Sequence, residues 1–356
     1  MNAAPNSQEP GNAVRERQVS PDWKDAIAPF ARADRGRAIL DLTTSFVPYL
    51  IGWALMYLAL DISYFLVLAL AIPTAGFLQR IFIVFHDCTH GSFAPGKRAN
   101  AWIGRVAGLF VFSPFGAWRH SHAMHHASAG DLDRRGDGDV PTLTVAEYAA
   151  RSRKGRLAYR LFRNPAIMFT IGPIWSLVIG PRIWSRDQRP RIRHSVQLTN
   201  LALASTIAAV CFLIGWQNFV LIQGPLLLIA GAAGVWLFYV QHQYEDVYWE
   251  RTDSWNYANA ALQGSSYLRL PQPLQFFTGN IGLHHVHHLS AKVPNYNLQR
   301  AHDSCELFHT VPQLTIRDGL QATRLKLWDE DAGRLVTFAE ARRSTAPSVL
   351  QAGQLA

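Results

Sequence analysis

The sequence predicts an all-α integral membrane protein. Four transmembrane helices form two hairpins, joined by interfacial helices and topped by a cytoplasmic helical cap that carries clustered histidines. Three observations lead there. From Leu42 to Gln79 the only charged residue is Asp61, and from Ser195 to Gln241 there is none. A helix needs about 20 apolar residues to cross a bilayer, so each stretch holds two spans. Lysine and arginine crowd the flanks of these stretches, and three histidine motifs sit beside them.

The elements follow in chain order. Spans are expected near 42–60, 62–79, 197–214 and 219–240, with turns around Asp61 and around Trp216-Gln217-Asn218. Residues 1–20 are polar and mixed in charge, and are expected to be disordered rather than a cleaved signal peptide. Two further apolar segments, 101–117 and 167–183, are broken by Gly and Pro and read as interfacial or re-entrant. Non-helical backbone at membrane depth is tolerated only where protein covers it. Beyond Leu289 the sequence is mixed and polar, without repeats, and reads as short helices of a cap. Tyr49, Trp53, Trp216 and Tyr239 near the span ends suit an aromatic belt.

Charge sets the orientation. Neither hairpin turn carries Lys or Arg, whereas Lys24, Arg32, Arg35 and Arg37 precede the first span. Between the hairpins lie Arg151, Arg153, Lys154, Arg156, Arg160, Arg163, Arg182, Arg186, Arg189, Arg191 and Arg193. Positive charge stays inside, so both termini and all three histidine motifs are expected on the cytoplasmic side of the inner membrane. The formal charge of +9 reflects this bias and attraction to anionic headgroups. No nucleic-acid-binding module is visible. Cys88, Cys211 and Cys305 are isolated and no disulfide is expected; Cys88, inside the first histidine motif, reads as a small packing residue rather than a ligand.

The histidines carry the chemistry. His86 and His90 form HxxxH; His122, His125 and His126 form HxxHH; His284, His287 and His288 lie within HHVHH. Residues three and four apart on a helix are neighbours, so each motif aims its imidazoles at a common point. His242, at the end of the fourth span, is a ninth candidate. His120 and His285 lie off these faces, and His194, His302 and His309 read as surface or core residues. Nine imidazoles exceed the roughly four ligands of a zinc site and suit two metals with open positions. A site of this kind beside hydrocarbon suggests redox iron attacking a C–H bond, although imidazole also suits zinc and copper. Asp87, Asp131 and Asp133 either orient ligating imidazoles or cap helices; Asn280 is open in the same way. Gly279 and Gly282 suggest a tight approach to the third motif, and Glu245 and Asp246 suit pairing with arginines.

The segments HDCTHGSF, HSHAMHH and GNIGLHHVHHL resemble the three histidine boxes of the membrane fatty acid desaturase family. Ser128–Gly136, Gly234–His242 and Val293–Arg300 resemble its bacterial acyl-lipid branch. The resemblance spans roughly 38–330 and implies that His86, His90, His122, His125, His126, His242, His284, His287 and His288 bind two irons. It further implies that O2 and two externally supplied electrons convert adjacent methylenes of an acyl chain into a cis double bond. The acyl-CoA branch carries an Asn one turn before the lone histidine; here Phe238 stands there, which favours a lipid-bound acyl substrate.

The resemblance divides the chain into a tail (1–37), a desaturase domain (38–310) and a cytoplasmic C-terminal segment (311–356). No haem or flavin motif of a fused donor is visible. A ferredoxin or flavodoxin is therefore the expected partner, steered to the basic cytoplasmic face by opposite charge. A hydroxylase or ketolase of an alkane or carotenoid is the nearest alternative on this scaffold. A histidine-rich metal transporter is a weaker one, because the spans hold no His, Asp or Glu in their middles.

Overall fold

The computed structural model describes residues 23–136 and 138–344; the expected disorder of residues 1–20 lies outside this range. A short α1 (Trp23–Ile27) leads to the first hairpin, α2 (Arg35–Ala59) and α3 (Tyr64–His90). Asp34 caps α2 by accepting from the Arg37 N–H at 2.8 Å. Both helices outrun the apolar stretches that predict them, and α3 continues unbroken from Arg80 to His90. Gly91 then ends it in a left-handed conformation, φ 67°, which a residue without Cβ adopts freely.

The segment expected to be interfacial or re-entrant at 101–117 is two helices, α4 (Lys97–Phe110) and α5 (Phe115–Ser128). The break falls at Phe112, φ 56°, and Pro114. After β1 (Leu143–Thr144) come α6 (Val145–Ala150), α7 (Arg153–Phe162) and α8 (Pro165–Pro173). A π-helical turn at Ile174–Ile179 and a 3-10 turn at Gly180–Arg182 complete the second apolar segment. It turns Ile171, Trp175 and Ile183 outward. The second hairpin is α9 (Pro190–Ile214) and α10 (Trp216–His242), joined at Gly215.

Helices α2, α3, α9 and α10 are each long and apolar enough to cross a membrane. In each hairpin one helix is inner and one outer. Over their most apolar windows α3 and α10 are 56% and 33% buried, against 22% for α2 and 6% for α9. The main core gathers around α3, from Val67, Ala71, Ile81 and Phe85 to Ile222 and Leu226 of α10. Tyr49 and Trp53 do not form a belt: both donate to Gln223 Oε1 of α10, at 3.3 and 3.1 Å, inside the bundle. Tyr239 is likewise buried, while Trp216 is exposed as a belt residue would be.

The cap contains α11 (Tyr257–Gln263), β2 (Tyr267–Leu268), α12 (Gln272–Phe277), α13 (His284–Leu289) and α14 (Asn295–Asp303). A 3-10 turn at Glu306–Thr310 precedes β3 (Gln313–Leu314), α15 (Ile316–Ala322), β4 (Leu327–Asp329), β5 (Arg334–Val336) and α16 (Phe338–Ser344). The cap is thus not helical throughout. Parallel β1 and antiparallel β5 flank β4, and β2 pairs in parallel with β3.

Candidate metal centre

All nine candidate histidines converge, in two groups. His86, His90, His122, His126 and His287 form one; His125, His242, His284 and His288 form the other. Within each group the ligand nitrogens lie within 4.8 Å of one another. One expectation changes. The three imidazoles of HxxHH do not share a point: His122 and His126 join one group and His125 the other. The same happens on α13, where His284 and His288 part from His287. Residues four apart share a group, and the residue three along serves the neighbour. That rotation of about 100° per residue lets α5 and α13 serve both groups, while α3 serves only the first and α10 only the second.

The residues fit metal ions. Nε2 atoms face each other at 3.2 Å for His122–His126, 3.0 Å for His126–His287, 3.1 Å for His125–His242 and 2.9 Å for His242–His284. Two nitrogens each about 2.0–2.1 Å from one ion, as in zinc–imidazole bonds, lie about 2.8–3.4 Å apart at angles of 90–110°. The buried Nε2 atoms of His90 and His288 have no protein partner, as a metal-facing nitrogen requires. Burial, reinforced by neighbouring imidazoles, holds His122, His126, His284, His287 and His288 well below the ordinary histidine range. They are therefore neutral and offer lone pairs.

Three of the opposite ring nitrogens are held in place. His86 Nδ1 donates to Asp87 at 3.0 Å, and His125 Nδ1 to Asp139 at 2.5 Å. His242 Nδ1 donates to the Gly264 carbonyl at 3.0 Å. An acceptor at Nδ1 fixes the tautomer and aims Nε2 at the ion. Each group thus has one buried carboxylate behind one imidazole. Of the three acids singled out in sequence, only Asp87 has this position. Asp131 accepts from the Asp133 N–H and from Arg134, and Asp133 pairs with Arg251. Asp139 carries no sequence signal; it belongs to no motif and reaches His125 only through the fold of the loop after α5.

Aromatic rings wall the centre. Trp118 stacks on His122 at 4.2 Å between ring centres and meets His86 at 5.7 Å. Phe238 packs against His125 at 5.2 Å and His242 at 5.5 Å. The remaining histidines take their expected places. His285 is buried against His302, 3.1 Å away and apart from both groups, while His194 and His309 are exposed. Cys88 packs in the core around α3, and Glu245 pairs with Arg334. Gly279 and Asn280, with φ of 52° and 59°, make the tight approach to α13.

Comparison with known proteins identifies the scaffold. The profile of the family described as Fatty acid desaturase matches residues 61–312. A Fatty acid desaturase of Bacillus subtilis (strain 168) is 49% identical over 312 residues, covering 88% of this chain and 89% of the relative. An sn-1 oleoyl-lipid 12-desaturase of Anabaena variabilis is 27% identical, covering 70% and 72%. An sn-1 acyl-lipid omega-3 desaturase (ferredoxin) of Synechocystis sp. is 29% identical, covering 62% of each. With its apolar helices and paired histidine groups, this chain belongs to the fatty acid desaturase family, and is an oxidoreductase.

Proposed function

We propose that the chain is an O2-dependent acyl-lipid desaturase of the inner membrane, with one iron in each histidine group. The observation that carries this is the convergence of five and four imidazoles at the ends of α3 and α10. Per turnover, O2, two electrons and two protons are consumed. One hydrogen leaves each of two adjacent methylenes, a cis double bond forms, and two waters are released. The irons, when bound, supply the oxidising power that an unactivated C–H bond demands. The nine histidines hold them, Asp87, Asp139 and the Gly264 carbonyl orient three of those imidazoles, and Trp118 and Phe238 keep water from the flanks.

Other parts of the reading have separate support. The names of the Anabaena and Synechocystis relatives point to a lipid-bound acyl substrate and, in one case, a ferredoxin donor. A flavodoxin would serve the same basic face. Phe238 in place of a polar residue favours the lipid-bound substrate. Because α3 and α10 both end in ligands of adjoining groups, which α5 and α13 link, their C-terminal ends would lie on one side of the bilayer. The Lys and Arg distribution makes that side cytoplasmic, together with both termini. Residues 38–310 would then form the catalytic domain, followed by a cytoplasmic segment.

The test is the acyl profile of a host expressing the chain, with double bonds located by mass spectrometry. A new unsaturated species is expected with wild type and not with His125→Ala. An unchanged profile from iron-loaded protein supplied with reduced ferredoxin would sink the reading and move a hydroxylated or ketolated lipid product to the front.

A further inference from the structure

We propose that Asn295 is a positioning residue for the five-histidine group: it holds Asp87 against His86 and ties both to a buried ion pair between α2 and α3. This rests on the reading that the group binds a metal ion. Asn295 is buried at the start of α14. Its backbone N–H donates to Asp87 Oδ2 at 2.6 Å. Its side-chain amide donates to the same oxygen at 3.1 Å and to Asp41 Oδ2 at 2.9 Å. Asp87 turns its other oxygen to His86. Asp41 is paired with Arg80, which also donates to the Phe276 carbonyl and lies 4.0 Å over the Phe276 ring. The Asn295 carbonyl accepts from Asn280 at 3.2 Å. One residue thus joins the first hairpin, the first histidine box and the approach to the third.

The chemistry explains why an amide stands there. Two buried carboxylates meet at Asn295, but there is one guanidinium, and Asp41 takes it. Among the described residues Asp87 has no Lys or Arg partner; its one ion-pair partner is His86. A buried carboxylate needs compensation, and an imidazole bound to a metal ion supplies positive charge. A primary amide has two N–H donors and no charge, so it serves both carboxylates without altering the balance. Aspartate would add a third negative charge, and alanine would take the amide donor from Asp41 Oδ2 and leave Asp87 Oδ2 with the backbone N–H alone. The four-histidine group relies instead on Asp139 and Gly264, which do not touch this network.

The test uses the full chain, purified, loaded with ferrous iron and titrated with a chelator, while elemental analysis and Mössbauer spectra follow the bound ions. Wild type is expected to hold two ions. Asn295→Ala is expected to lower the affinity of one ion 10–100-fold, the range for loss of an outer-shell partner, and to leave the other unchanged. Asn295→Ser, which keeps a donor, should fall between the two. Release of both ions together, affinities within twofold of wild type, or equal losses for Ser and Ala would each overturn the positioning role. Fewer than two ions in wild type would overturn the two-iron reading itself, and this inference with it.

Discussion

The two histidine groups differ in ligand number, cover and support. The first has five imidazoles, two of them (His90 and His126) only half-buried; the second has four, all buried. The first leans on the ionic chain Arg80–Asp41–Asn295–Asp87. Behind Asp139 and Gly264, the second leans on cations that have no acid partner among the described residues. Arg163, fully buried, donates to Gln243 at 2.7 Å, and Gln243 donates to the His242 carbonyl at 3.0 Å. Lys326 donates to the Arg163 carbonyl at 2.5 Å. One group therefore has a spare ligand and a scaffold with an excess carboxylate, and the other has no spare ligand and a cationic scaffold.

The ligand difference has the largest expected effect. His288→Ala leaves three imidazoles in its group, and His90→Ala leaves four. Four ligands complete a typical closed site, whereas three leave it open. His288→Ala should abolish the unsaturated product and lower iron toward one ion per chain. His90→Ala should keep both ions and part of the activity. Equal losses of iron in the two variants, measured side by side, would mean that the fifth imidazole is not spare.

Next comes the scaffold of the second group. Arg163 also donates to Pro141 O at 2.7 Å and Tyr239 Oη at 3.0 Å. Arg163→Met takes the donor from Tyr239 Oη and the shorter of two donors from Pro141 O and Gln243 Oε1, which keep the Tyr159 and Thr142 hydroxyls at 3.4 and 3.3 Å, at roughly 1 kcal/mol for each bond. A total loss of about 3 kcal/mol in detergent unfolding is expected, with the ion of the four-histidine group released first. Release of the five-histidine ion first would reverse the comparison.

The sequence made half of this legible, and the half is local. Apolar run length marks the spans, and spacings of three and four residues mark eight of the ligands. How those ligands divide between two ions depends on where three helices cross, which no single motif encodes. The orienting groups are long-range: Asp87 meets Asn295 from 208 residues away. Asp139 is only 14 residues from His125, but a loop without periodicity brings it there. Tyr49 and Trp53 face Gln223 instead of a belt, and a helix apolar on every side does not reveal which face is inner. Strands of two or three residues have no pattern long enough to read.

The last prediction concerns Lys326 and is a matter of pH. Burial, with help from the Arg163 charge, lowers its ammonium from the ordinary 10.5 to about 7. Between those values the folded chain binds less of this proton than the unfolded chain, so stability rises as pH rises. Below about 7 both forms are protonated and the burial penalty is paid in full. The fold should therefore gain stability from pH 7 to 10, and Lys326→Met should flatten that gain while raising stability at pH 7. Among the described residues the five-histidine side contains no comparable unpaired lysine: Lys292, which donates to the His90 carbonyl, is exposed. Melting curves of wild type and Lys326→Met at several pH values decide the point. Parallel pH dependences would show that Lys326 keeps its charge in the fold, and that the cations behind His242 are solvated rather than buried at a cost.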